Sequence, residues 1–163
     1  MNLINILIGV FIVAVCVLPI VSVVKKMKKQ ERKTLQLLAK IADRHQCIVH
    51  KHEICGDYII GIDEYKKVVF FLKLLNDKTI EKHISLKEIR SCRVKNTTRS
   101  VSLKKENSIV TDKLELIFIP ISGNLSEISL EFYNSDNSSQ LRGELQSIQR
   151  WSDVINNLFL NKT

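Results

Sequence analysis

The sequence predicts an N-terminal transmembrane α-helix joined to a small, mainly β domain (α+β in the broad sense), an antiparallel barrel of about seven strands capped by a C-terminal helix. Three observations predict it. Residues 6–24 carry no charged side chain and are almost wholly aliphatic. Between Cys47 and Tyr133 the apolar residues recur mainly with a period of two, as strands require. From Leu141 to Leu158 they recur by threes and fours, the spacing of one helical face.

The first segment has the length of a membrane span, since about 20 apolar residues in a helix cross about 30 Å of hydrocarbon. The residues before it, Met1 to Asn5, include no base, and Val21-Ser22-Val23-Val24 leads into lysines. A cleaved signal has a basic start and a small-x-small cleavage site, and only Ala14-Val15-Cys16 weakly resembles one, so residues 1–24 read as an uncleaved anchor. Gly9 and Pro19 are tolerated in such a helix.

Residues 25–46 continue it as a basic juxtamembrane helix. They carry eight bases against Glu31 and Asp43, a net charge of +6. Basic flanks stay on the cytoplasmic side. The expected topology is therefore single-pass in the cell membrane, N-terminus outside and C-terminal domain in the cytoplasm. Lys25, Lys26, Lys28, Lys29, Arg32 and Lys33 are the candidate lipid-surface residues, each worth about 1 kcal/mol near anionic headgroups. Leu35, Leu38 and Ala42, joined by Leu37 and Ile41, form a stripe expected to dock on the domain that follows.

The whole chain has 163 residues and a formal charge of +8, but residues 47–163 carry only +2. The charge excess is thus mainly juxtamembrane. That argues against a nucleic-acid binder, which would carry it on the folded face. Cys47, Cys55 and Cys92 would face a reducing compartment, so no structural disulfide is expected.

The domain, 47–163, reads in order as follows. Residues 47–54 and 58–62 are strands around the turn Cys55-Gly56-Asp57. A tight connection, Asp63-Glu64-Tyr65-Lys66, leads to a very apolar third strand at 67–74; Asp63 and Glu64 are expected to be solvated there. A fourth strand covers 79–84, a short bend 85–89, and a fifth strand 90–97. Residues 98–111 are polar and read as the longest loop. Strands at 113–119 and 127–133 alternate cleanly, with Leu114, Leu116 and Phe118 on one face of the first. Ser138 or Ser139 caps a final helix over 140–160, whose stripe includes Leu141, Leu145, Ile148, Trp151, Ile155 and Leu158. Trp151 reads as a core plug.

The strand order, the Gly-Ile-Asp-Glu hairpin at 61–64, the Ser-Leu-x-x-Ile step at 85–89 and the Trp-bearing last helix resemble small bacterial single-pass membrane proteins with a pleckstrin-homology-like barrel. The resemblance covers about residues 47–160. It implies a PH-like barrel with its last helix closing one end. Inositol-lipid binding does not carry over. PH domains that bind such lipids place bases in and beside the first hairpin loop, and here Cys55-Gly56-Asp57 has none and one acid.

Two other constellations stand out. Residues 78–113 hold ten bases against four acids, a solvated face or a second contact for anionic lipid or an acidic partner. Cys47, His50, His52 and Cys55 supply zinc-type ligands, but on a strand the histidines share one face and the cysteines the other, so convergence on one ion is not expected. His45 and His83 have no partner pattern. No nucleophile elbow, phosphate loop, zincin or dinucleotide motif occurs. The expectation is a non-catalytic, cofactor-free module at the cytoplasmic face that binds anionic headgroups or a protein partner through a sheet edge or the 98–111 segment. The alternative is a zinc sensor or enzyme using residues 47–55.

Overall fold

A computed structural model describes residues 3–75, 78–103, 106–138 and 140–160, with the side chains of 3–14, 16, 20, 101–103 and 106–108 outside that description. The chain divides into two compact units, residues 1–37 and 38–163. One helix, α1 (Leu3–Arg44), runs through the first unit and its last turns belong to the second. The expected anchor and juxtamembrane helix are therefore one unbroken element. Pro19 lies inside it. Among the described residues no helix is long and apolar enough to cross a membrane. Most side chains of the expected anchor, residues 1–24, lie outside the described residues.

Gln46 stops α1. Its φ of 55° is left-handed, and the Cys47 N–H turns back to the Ala42 carbonyl at 2.9 Å. Seven strands follow: β1 (Lys51–Cys55), β2 (Tyr58–Asp63), β3 (Val68–Leu75), β4 (Lys78–Ser85), β5 (Ile89–Leu103), β6 (Glu106–Pro120) and β7 (Ile128–Asn134). A 3-10 turn at Leu86–Glu88 separates β4 from β5, and α2 (Glu144–Leu160) ends the chain. All pairings are antiparallel, in two sheets ordered β1-β2-β3-β4 and β5-β6-β7. The mainly β domain with a C-terminal helix is as expected; the closed barrel is not. Among the described residues no ladder joins the two sheets. Side chains and α2 bridge them instead.

The core lies between the sheets. Tyr58, Ile60, Ile62, Val69 and Phe71 of the first sheet meet Leu114, Leu116, Phe118, Leu130 and Phe132 of the second, and Ile148, Trp151 and Ile155 of α2 close the end. Trp151 is 4% exposed, the plug its spacing predicts. The other face of the first sheet is covered too, so every residue of β2 is buried. Leu38, Ile41 and Ala42 at the end of α1 are buried. They approach this face because position 61 is glycine: a Cβ there would lie 2.8 Å from Leu38 Cδ2 and 2.8 Å from Val49 Cγ1.

Three expectations are corrected. Residues 98–111 are not a loop. They form the outer half of the β5–β6 hairpin, paired from Thr98↔Thr111 to Leu103↔Glu106. The ribbon hides from pattern reading because its described side chains, 98–100 and 109–110, are exposed on both strands, so no buried alternation marks them; Ile109 is 77% exposed. The last helix begins at Glu144 rather than Gln140, because Gly143 takes φ +113°, outside helical space. Ser138 does not cap it, Ser139 lies outside the described residues, and Leu141 and Leu145 stay out of the core. The turn carboxylate Asp63 is 2% exposed, not solvated. Its Oδ1 accepts the N–H groups of Tyr65 (3.0 Å) and Lys66 (2.9 Å), and its Oδ2 accepts that of Ile48 (2.9 Å).

Candidate interaction surfaces

The six bases chosen from sequence all lie on α1 and are exposed, with no ion pair among the described residues. At about 100° per residue Lys28, Arg32, Lys25, Lys29, Lys33 and Lys26 fall within one arc of about 160°. Glu31 lies outside that arc, and so do Leu38, Ile41 and Ala42 on the buried side of the same helix. The bases thus form a face rather than a ring.

Of the eight described bases in the second basic region, 78–113, four are ion-paired. Arg93 pairs with Glu127 (3.3 Å), Lys95 with Glu115 (3.8 Å), Arg99 with Asp112 (3.0 Å), and Lys113 with Glu115 (2.9 Å) and Glu131 (3.3 Å). Lys82 donates to the Ser129 carbonyl at 2.7 Å. Of the described bases that sequence counts as an excess of charge, half form a tie between strands.

That tie has a buried member that sequence reading missed. Lys73, on the inner face of β3, is 1% exposed. Its Nζ lies 3.1 Å from Glu131 Oε1 on β7 and 3.7 Å from Asp57 Oδ2 in the first turn. Burial alone would raise the Glu131 carboxyl; Lys73, assisted by Lys113, outweighs it and the pKa is lowered. For Asp57 burial wins over Lys73 and the pKa is raised. A lysine in an apolar strand gives no sign, in sequence, of which distant acids it will meet.

The segment 47–55 spreads its candidate ligands. Cys47 is buried with its thiol toward the His45 carbonyl (3.4 Å). Cys55 packs against the core beside Tyr58. The His50 ring meets Tyr65 edge-on at 4.7 Å and lies 3.6 Å from Asp63, while His52 is exposed. Burial raises both the Cys47 and Cys55 thiols, keeping them protonated. Among the described residues no group of three or more such side chains is placed to share an ion. His45 and His83, which sequence left without partners, stack with ring centroids 4.0 Å apart.

A concavity lies between β1 and α2. It encloses about 370 Å³ and is lined by His50, Lys51, His52, Glu53, Arg150, Trp151 and Val154. Glu53 organises it. One carboxylate oxygen accepts the Trp151 Nε1–H at 3.0 Å, and the other meets Arg150 Nη2 at 2.5 Å. Glu53 sits on the helix-facing side of a period-two strand, but its partners lie nearly a hundred residues away. No local signal could have joined them. Compared with known proteins, the chain matches no family model, no curated protein and no solved structure.

Proposed function

We propose that this chain is a single-pass, non-catalytic interaction module, held at the cytoplasmic face of the cell membrane by its N-terminal segment. The observation that carries the reading is the boundary at residue 25: an uncharged run over 6–24 followed at once by six exposed bases on one face of a continuous helix, with no ion pair among the described residues. Those bases suit anionic headgroups, and the domain then presents its edges to a protein partner. A four-plus-three arrangement of antiparallel strands with a terminal helix supports the pleckstrin-homology-like reading of the domain. The first turn carries Asp57 and no base, which speaks against an inositol phosphate there.

The test is topology and retention in cells. The native protein should pellet with membranes and resist an alkaline wash. Protease added outside whole cells should leave a C-terminal epitope intact, and protease on inverted vesicles should remove it. Release of the chain into the soluble fraction, or digestion of its C-terminus from outside, would overturn the reading. Replacing the six bases with glutamine should weaken or invert this orientation, since each contributes about 1 kcal/mol at an anionic surface.

A further inference from the structure

We propose that the stacked imidazoles of His45 and His83 form a proton-operated latch, which holds the end of α1 on the first sheet and loosens in acid. The inference goes beyond the interaction-module reading above. Every residue it uses lies within 38–163, so its failure leaves the topology test untouched.

The latch sits where α1 gives way to the domain. Leu38, Ile41 and Ala42 are buried at the end of the helix. His45 follows the last helical residue, Arg44, and Gln46 then turns left-handed. On the sheet, Gly61, Phe70 and His83 are register partners across β2, β3 and β4. One face of that row lies under the helix end, where Leu38 crowds Gly61. The His45 ring centroid lies 4.0 Å from that of His83, with the planes inclined by 36°, and 6.0 Å from that of Phe70. Neutral rings at that spacing are in van der Waals contact. Two imidazoliums there are like charges at contact distance.

Cys47 belongs to the same joint. Its N–H bonds to the Ala42 carbonyl at 2.9 Å, and its thiol meets the His45 carbonyl at 3.4 Å. Cys47 is 6% exposed, so access to its sulfur reports whether the joint is closed.

The surrounding charges do not offset two protons. Glu81 of β4 is engaged by Arg44 of α1 at 2.7 Å. Asp43, the other acid of the helix end, is exposed and forms no ion pair with either ring among the described residues. The β2–β3 turn contributes a base, Lys66, whose Nζ donates to the Gln46 carbonyl. On this face β3 supplies Val68, Phe70 and Leu72, none of them titratable. His52, at the β1 end of the row, is a further protonatable group rather than an acid. His50 differs, with the Asp63 carboxylate 3.6 Å away. Burial and then His45 lower the His83 pKa below its ordinary 6.5. Such a group stabilises fully above 6.5 and loses that contribution as pH falls through its folded value. Protons therefore favour the open joint, which bares Leu38, Ile41, Ala42 and the sheet face around Gly61. The charge change is local, and the element it biases is the docked end of α1.

The full-length protein in detergent micelles is pulsed with 4,4′-dithiodipyridine, which attacks thiols in mild acid, between about pH 7.5 and about pH 5. Mass spectrometry quantifies labelling at Cys47 against the same protein in urea at each pH. Protection of Cys47 should fall about fivefold across this range, the population change that like charges 4 Å apart produce in water. Cys92, buried in the other sheet, should keep its protection. His83→Phe and His45→Phe each keep a ring in the stack without the proton. Each should make Cys47 protection independent of pH over this range, and either suffices should the other misfold. A flat wild-type profile overturns the proposal. So does an equal loss at Cys92, which is global acid unfolding, or a pH dependence that a folded variant retains.

Discussion

Asp63 tests most directly whether one carboxylate fixes the entry to the domain. It ties three separate backbone donors: Ile48 before β1, and Tyr65 and Lys66 inside the β2–β3 hairpin. Burial alone would raise its pKa. The N–H groups of Lys66, Ile48 and Tyr65, helped by His50, outweigh it, and the pKa is lowered. A net hydrogen bond is worth about 1 kcal/mol and one to a charged group about 1.5–3 kcal/mol. Ile48 and Tyr65 are 71% and 84% exposed, so water partly replaces the lost acceptor for their N–H groups. Asp63→Ala should therefore cost about 2–4 kcal/mol rather than the full sum of three charged bonds. Asp63→Asn keeps one acceptor oxygen for the hairpin, loses the Ile48 bond and the charge, and should cost about 1.5–2 kcal/mol. The pH dependence follows from the sign of the shift. A carboxyl with a depressed folded pKa contributes fully above its unfolded value, ordinarily 3.8, and loses that contribution as pH falls through the folded value. Urea unfolding followed by Trp151 emission at pH 7 and at pH 3 reads both effects. The gap between wild type and Asp63→Asn should narrow at the lower pH. A cost below about 0.5 kcal/mol for Asp63→Ala, or a gap that widens on acidification, would show that the three bonds do not stabilise the fold.

Four further outcomes are expected. Gly61→Ala pushes a methyl against Leu38 and Val49 and should destabilise by about 1–3 kcal/mol despite the entropy gained; Leu38→Ala in the same chain should recover part of that loss, which a double-mutant cycle measures. Trp151→Ala should cost about 3–5 kcal/mol in thermal unfolding followed by circular dichroism, and a normal melting curve would contradict its burial. Lys73→Met takes the cation from Asp57 and leaves Glu131 with Lys113 alone; because both acids are partly exposed it should destabilise by about 1–3 kcal/mol, whereas adding Asp57→Asn and Glu131→Gln should restore part of the loss, as denaturant midpoints would reveal. For His83, burial and then His45 lower the pKa below the ordinary 6.5, so stability should decline as pH falls from 6.5 through the folded value; an imidazole titration by NMR that shows no lowered pKa, or one that His45→Phe leaves unchanged, would refute the coupling.

Periodicity made the domain legible wherever one face is buried. Leu114, Leu116 and Phe118 alternate because they line the core, and Ile148, Trp151 and Ile155 recur at helical spacing because α2 lays one stripe across it. The reading failed where burial ceases to vary. In the outer β5–β6 ribbon Arg99, Ser100, Ile109 and Val110 are all exposed, so they look like loop residues, although Arg99 and Asp112 tie the two strands together. It failed again where a polar residue is buried by distant partners. Asp63 looks like an ordinary turn acid until the Ile48 N–H arrives from before β1. The groove was illegible for the same reason: a two-residue alternation places Glu53 on one face of β1, but only the fold brings Trp151 and Arg150 to it.

The treatment of edges connects this architecture to its use. An unpaired strand edge invites association with any extended chain, and proteins normally cover, shorten or charge it. Here the β5 edge is met by the Asn156 amide, and β4 carries Lys78, Glu81 and Lys82, of which Glu81 pairs with Arg44 at 2.7 Å and Lys82 reaches the Ser129 carbonyl. β1 is kept to five residues and is charged at Lys51 and Glu53, which pair with Glu64 at 2.7 Å and with Arg150 at 2.5 Å; a short edge carrying ordered charges resists indiscriminate pairing without a covering strand.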